Sequence, residues 1–232
     1  RGPVPVPPTV LQRGLLFQSQ VAPSGSYHAQ TALTFDREID PDQLAEAFAD
    51  AVVVHPAMGA RFDLAAATPT QYLPGRDERV LLPVEIVHTD DTSSDEHILR
   101  ERDRAQPIPL DRSPAARATI VRRAGHGDTV LFTYHLALLD GWSRARFLTE
   151  FLDRLRDREQ SAVRTPRPAR PGFAEVATLL EDRDHRQDLA FWRSVLGGMA
   201  GPTLLGRPAA LDALVPAAAE GLPRKIIRCL DT

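Results

Sequence analysis

The chain has 232 residues, of which 43% are hydrophobic and 25% charged, with a formal net charge of -3, which is ordinary composition for one large or two small globular domains. Arg residues scattered among Asp and Glu exclude a basic nucleic-acid surface, and a lone Cys229 excludes an intrachain disulfide. No apolar run approaches the roughly 18 residues of a membrane span and no signal-peptide pattern opens the sequence, so the expected compartment is a reducing cytoplasm.

Prolines extend the first residues, Arg1 to Pro8, and Thr9 with Gln12 then forms a capping-box pattern for a three-turn helix carrying Leu11, Leu15 and Leu16. A turn at Pro23-Ser24-Gly25-Ser26 leads into alternating residues from Tyr27 to Phe35, a strand pattern. Asp40-Pro41 supplies an N-cap acceptor and a proline at the first helical position. Leu44, Phe48, Ala51 and Val52 make the buried stripe of that helix, and His55-Pro56 ends it.

Strand signals follow: Gln71-Tyr72-Leu73, a Pro74-Gly75 turn and Val80 to Val87 predict a hairpin. Ser93 with Glu96 predicts a capped polar helix running toward Arg104. Ala118 to Arg122 and Thr129 to Leu136, joined by Gly125-His126-Gly127-Asp128, predict an antiparallel pair. Ser143 is an N-cap candidate for a helix with Phe147, Leu148, Phe151, Leu152 and Leu155 on one face. Residues 157–172 read as a surface linker, Phe173 to Leu180 and Leu189 to Leu196 as helices, and Lys225 to Leu230 as a last strand after a loose segment from Gly201 to Gly221. Phe191 and Trp192 read as core, and the charged runs Glu101 to Arg104 and Asp153 to Glu159 as solvated helix faces. There is no internal repeat, and strands and helices mixed in this order predict an α+β fold of mixed, mostly antiparallel sheet with helices packed mainly on one face.

The residues that bear on chemistry are Thr133-Tyr134-His135-Leu136-Ala137-Leu138-Leu139-Asp140-Gly141-Trp142-Ser143. Taken alone, a His beside an apolar strand is most often a hydrogen-bonded core residue, and Asp-Gly before a helix is a tight turn. Together these residues resemble the HHxxxDG signature of nonribosomal peptide synthetase condensation domains, in the chloramphenicol acetyltransferase-like superfamily. Thr9 to Gln18 is similar to the opening helix of that family. Val54 to Phe62 resembles its RHExLRTxF stretch, keeping His55, Arg61 and Phe62, and Phe173 to Ala177 falls where the family has an aromatic, Ala-rich helix. The resemblance implies that residues 1–232 form the N-terminal lobe of a condensation-like domain whose C-terminal lobe is absent.

Aligned on Asp140-Gly141, the first motif His falls on His135 and the second, catalytic one on Leu136. The family transfers acyl or peptidyl groups between carrier-bound substrates, and an imidazole near working pH serves there as base or hydrogen-bond partner. Leu136 has neither lone pair nor proton, so the resemblance implies a degenerate catalytic set of His135, Asp140 and Gly141 with absent or impaired activity. Alternation along a strand turns His135 away from the face of Leu136, and Tyr134, with a phenol pKa near 10, is a poor base. The resemblance further implies that Arg117 pairs with a buried Asp140, and that Trp142 and Ser143 shape the site. It implies no cofactor or metal bound by this chain. Expected partners are carrier proteins bearing phosphopantetheine, other synthetase domains, and the missing lobe or a self-associating copy.

Two other readings stay open. His135, Asp140 and Ser143 stand at the three positions of the DxxxxDxxS signature of heterocyclisation domains, whose first Asp is missing here. A free-standing trimeric acyltransferase of the chloramphenicol acetyltransferase type fits the length, although such enzymes carry the motif near the C-terminus and here about 90 residues follow it.

Overall fold

A computed structural model describes residues 2–22, 25–65, 69–75, 77–89, 93–161, 172–199 and 201, and the chain divides into two units, Arg1–Asp182 and Arg183–Thr232. The first unit is built on a four-stranded sheet of β2 (His28–Thr34), β7 (Thr129–His135), β6 (Ala116–Arg123) and β5 (Val84–Thr89), in that spatial order. β2 and β6 flank β7 antiparallel, and β5 runs parallel to β6. A smaller sheet orders β1 (Val4–Val6), β4 (Thr70–Leu73) and β3 (Arg61–Asp63). The α+β class agrees with the sequence pattern, and β7, which leads into Asp140-Gly141, is an inner strand.

Helix α1 (Val10–Val21) opens on the expected capping box, in which Thr9 and Gln12 satisfy each other's backbone N–H groups. Helix α2 (Pro41–Val54) opens on Asp40, whose carboxylate accepts from the N–H groups of Asp42 and Gln43, and it buries Leu44, Phe48, Ala51 and Val52 as predicted. Helix α4 (Gly141–Glu159) lies beside α2 and buries Phe147, Phe151 and Leu155. These two helices cover the face of β7 that carries Val130, Phe132 and Tyr134. Phe48, Phe132, Phe147 and Phe151 form one four-ring cluster there, every pair of centroids lying 5.7–6.2 Å apart. Such pairs each contribute about 0.5–1.5 kcal/mol beyond the area they bury, so this cluster anchors the sheet to its helices.

The opposite face also carries a helix, so the helices pack mainly rather than wholly on one face. Helix α3 (Ser93–Ala105) lies across β2 and β7 and is held by polar contacts described below. The predicted hairpin is absent. Both edges of β4 are already filled, by β1 and by β3, so the chain from Val80 has no edge to return to and β5 joins the other sheet parallel to β6. Ser143 is not the cap of α4. Asp140 is, because its carboxylate reaches the Ser143 N–H at 2.7 Å, and the helix starts two residues earlier than its sequence cap.

Helix α4 continues to Glu159, so residues 157–159 belong to it rather than to the linker, and Arg158 reaches Glu46 and Asp50 on α2. Helix α5 (Phe173–Glu181) follows, with Ala177 buried and Arg13 of α1 paired with Glu181. In the second unit, helix α6 (Arg186–Leu196) has no buried residue. Phe191 and Trp192 stack edge-on at 5.3 Å but are more than half exposed, which corrects their assignment to the core. The predicted strand Lys225 to Leu230, most of the Gly201 to Gly221 segment, and the side chains of the Ser93/Glu96 cap lie outside the described residues.

Candidate functional site

The motif follows directly from the end of β7. β2 and β7 pair in a register that sets His28 opposite His135, and the two rings meet edge-on with centroids 6.1 Å apart. The His135 backbone N–H donates to Ala115 O, and the next N–H, of Leu136, donates to Tyr27 O, so the ladder extends one residue past the strand. A turn then closes from His135 O to the Leu138 N–H. Two side chains fix that turn. The Ala137 N–H donates to His135 Nδ1 at 3.1 Å, and Ala137 O accepts from Gln12 Nε2 at 2.9 Å. Gln12 also bonds the buried Gln71, whose Nε2 donates to Pro7 O, so α1, β4 and the motif turn share one polar junction.

His135 is 2% exposed, and its Nε2 has no hydrogen-bond partner among the described residues. Burial, with the neighbouring His28 adding to it, lowers its pKa to about 4, so the ring is neutral at neutral pH. Because Nδ1 accepts from Ala137, its lone pair is committed and the single ring proton resides on Nε2. A neutral imidazole of this tautomer donates from Nε2 and has no free lone pair for a substrate proton. Tyr134 cannot substitute, since it lies in the aromatic core and burial raises its pKa, with Arg144 opposing that. Leu136 is half-buried and can only pack.

Asp140 is exposed, and hydrogen bonds from Ser143 and Trp142 hold its carboxyl below the usual carboxylate range. Its work is to cap α4. Gly141 has open space where a side chain would begin, Trp142 is 87% exposed, and Ser143 is exposed at the first turn of α4. The expected pairing of Arg117 with Asp140 does not form. Arg117 points to the α3 side of the sheet, where Nε donates to Asp103 Oδ1 at 3.2 Å and Nη2 donates to the Asp103 and Gln106 carbonyls. The reason is strand parity: Arg117 faces Thr133 across β6 and β7, and both share the face of His135, which is opposite to that of Tyr134.

Asp103, read from sequence as part of a solvated run, is buried. It accepts from Thr119 Oγ1 at 2.8 Å, Thr133 Oγ1 at 2.5 Å, Gln30 Nε2 at 2.8 Å and Arg117. His28 completes this side, its Nδ1–H donating to the Arg104 carbonyl in the last turn of α3 at 2.9 Å. The signal available in the sequence was that Arg117, Thr119 and Thr133 interrupt apolar strands on one parity only.

The model of the condensation-domain family matches residues 5–212. The chain belongs to the condensation-domain family. It is 26% identical over 192 residues to bacitracin synthase 3 of Bacillus licheniformis, covering 81% of this chain and 3% of that one. To vanchrobactin synthetase of Vibrio anguillarum it is 29% identical over 205 residues, covering 82% and 7%. Among solved structures, the first condensation domain of the calcium-dependent antibiotic synthetase, in complex with a substrate analogue, superposes with a TM-score of 0.68 at 20% identity, covering 88% of this chain and 52% of that one. The epimerization domain of the third module of tyrocidine synthetase B does so at 0.71 and 14% identity, covering 88% and 47%. This condensation-family chain therefore spans about half the length of the solved chains it matches and a few per cent of the curated synthetases. Among the described residues there is no cluster of metal ligands, and no helix long and apolar enough to cross a membrane.

Proposed function

We propose that this chain forms the N-terminal lobe of a peptide-synthetase condensation domain that engages carrier-bound substrates without supplying the base for amide formation. The observation that carries this reading is the pair at the end of β7. Leu136 stands at the second motif position, and His135 at the first spends its Nδ1 lone pair on the Ala137 N–H. Amide formation needs the acceptor amine deprotonated and positioned, and neither residue has a lone pair to offer. The rest of the motif works as structure: Asp140 caps α4, and Gln12 and His135 hold the turn between strand and helix.

The partners of this reading are aminoacyl and peptidyl carrier proteins whose phosphopantetheine arms bring the substrates, in a cytoplasmic synthetase. A second lobe, or a second copy of this chain, would complete the channel. The test is a single-turnover reaction of the unmodified chain with a peptidyl carrier and an aminoacyl carrier, read by intact-protein mass spectrometry. No condensed product above the enzyme-free background is expected, because neither Leu136 nor His135 offers a lone pair to the acceptor amine. Product formed by the unmodified chain overturns the proposal.

A further inference from the structure

A groove of about 670 Å³ runs between β3, β4 and the segment that follows α3, and no residue from Thr133 to Ser143 lines it. That volume lies within the roughly 300–1,000 Å³ of small-ligand sites. One wall is a face of the small sheet. β3 and β4 pair with Arg61 opposite Tyr72, and strand alternation puts Asp63 on the same face as Arg61. The other wall is the segment from Ile108 to Asp111, held against β3 by the Phe62 N–H, which donates to Leu110 O at 2.7 Å.

The charges of this groove do not neutralise one another. Arg13, Arg37, Arg79, Arg117, Arg122 and Arg158 are each held by a carboxylate. Arg61 instead stacks on the Tyr72 ring, its Cζ 4.5 Å from the centroid, and has no carboxylate or carbonyl partner among the described residues. Stacking occupies a face of the guanidinium and leaves its in-plane N–H fork, the geometry that takes a carboxylate in two parallel bonds. Asp63 does not pair with Arg61; its Oδ1 accepts from the Ala65 N–H at 3.0 Å, at the same wall. Asp111 has no partner among the described residues. Arg61, Asp63 and Tyr72 are half-buried and Asp111 is exposed, so a solute reaches all four.

We infer that this groove binds a short zwitterionic peptide with apolar side chains, its α-carboxylate on Arg61 and its α-ammonium taken up by Asp63 and Asp111. A simple anion meets two carboxylates here and a simple cation meets Arg61, whereas a ligand with both charges answers both. Leu64, Ile108 and Leu110 receive the apolar side chains. Arg61 and Asp63 stand two residues apart on one strand, about 7 Å. An extended dipeptide spans about 7 Å, and a single amino acid about half of that. A carrier-bound aminoacyl group has a thioester in place of the carboxylate, so the groove selects free peptide, and the inference does not rest on whether the chain condenses carriers.

The probe is leucyl-leucine, titrated into the isotope-labelled chain at pH 7 and followed by the backbone and side-chain signals of residues 61–65, 72 and 108–111. Saturable shifts confined to these residues are expected. Leucine, the N-acetylated dipeptide and the dipeptide amide should each bind about tenfold more weakly, the loss of one charge-assisted hydrogen bond. Arg61→Gln should erase the preference for the dipeptide over its amide and keep the preference over the acetylated form. Asp111→Asn should narrow the second preference and keep the first; it changes an exposed side chain, so it decides the matter if the Arg61 variant does not fold. Shifts that stay linear in concentration, or equal affinity for both capped forms, overturn the inference, as does an Arg61→Gln variant that still prefers the free carboxylate. Equal affinity for leucine overturns the choice of a dipeptide.

Discussion

Arg117 of β6 and Asp103 of α3 form a partly buried ion pair, Nε to Oδ1 at 3.2 Å, with the two side chains 16% and 5% exposed. It fastens α3 to the sheet face that His135 shares, and it leaves the motif carboxylate, Asp140, to cap α4. Arg117→Ala strands a buried carboxylate and should cost about 3 kcal/mol in urea unfolding. A double-mutant cycle of Arg117→Ala with Asp103→Ala should show a coupling of about 1–3 kcal/mol, while the cycle with Asp140→Ala should be additive to within about 0.5 kcal/mol. Coupling to Asp140 instead would restore the pairing that the family resemblance implies.

Asp140 itself acts as a cap. Asp140→Ala should destabilise by about 1 kcal/mol, the usual cost of losing such an acceptor at a helix N-terminus, and Asp140→Asn should cost much less because an amide oxygen caps almost as well. Equal losses for the two substitutions, measured by urea unfolding, would show that the charge and not the cap matters.

Stability should fall between pH 7 and pH 5. The unfolded imidazole of His135 takes up a proton near 6.5 and the folded one near 4, so the folded state loses ground as pH drops through that window and has its full stability above it. The expected loss from this ring is about 2 kcal/mol between pH 7 and 5, with His28 adding in the same direction because burial lowers its pKa as well, and the Arg104 carbonyl, Arg117 and Asp103 modulating it. His135→Asn should flatten most of the slope in denaturant titrations at the two pH values. An unchanged slope would mean that the ring titrates normally.

Two glycines should answer differently. A Cβ on Gly127 would lie 1.9 Å from the Phe35 carbonyl oxygen, where the chain after β2 crosses the β6–β7 connection, so Gly127→Ala forces backbone apart and should cost several kcal/mol. Gly141 has nothing within contact distance of a Cβ and sits at the first helical position of α4, so Gly141→Ala should be neutral or slightly stabilising. Thermal melts of the two variants separate these outcomes. A large loss at Gly141 would show that the motif glycine is needed for more than the turn.

Local signals in the sequence were faithful where local physics decides. The Thr9–Gln12 capping box, the 3.6-residue stripes of α2 and α4, and the β6–β7 pair with its short connection all rest on neighbours within a few residues. The hairpin from Leu73 to Val80 failed because strand partners are chosen across the whole chain, and β1 and β3 had already taken both edges of β4. At the site, a hydrogen-bonded core histidine at position 135 was legible from the apolar strand that carries it. The tautomer of His135 was not, because it depends on an N–H two residues later turning back to the ring. Asp103 was missed for a similar reason: its run of charges looks solvated on a helical wheel, and only the parity of Arg117, Thr119 and Thr133 on two distant strands brings it under cover.

Whether His135 can take a proton from a substrate depends on which of its ring nitrogens already holds one. A long-range proton–nitrogen correlation spectrum of the labelled chain, recorded from pH 5 to pH 8, reads that directly. The account predicts one neutral form throughout, with the proton on Nε2 and Nδ1 bare and hydrogen-bonded. A proton on Nδ1 with a bare Nε2, or a ring that titrates near 6.5, would place a usable lone pair at the end of β7 and contradict it.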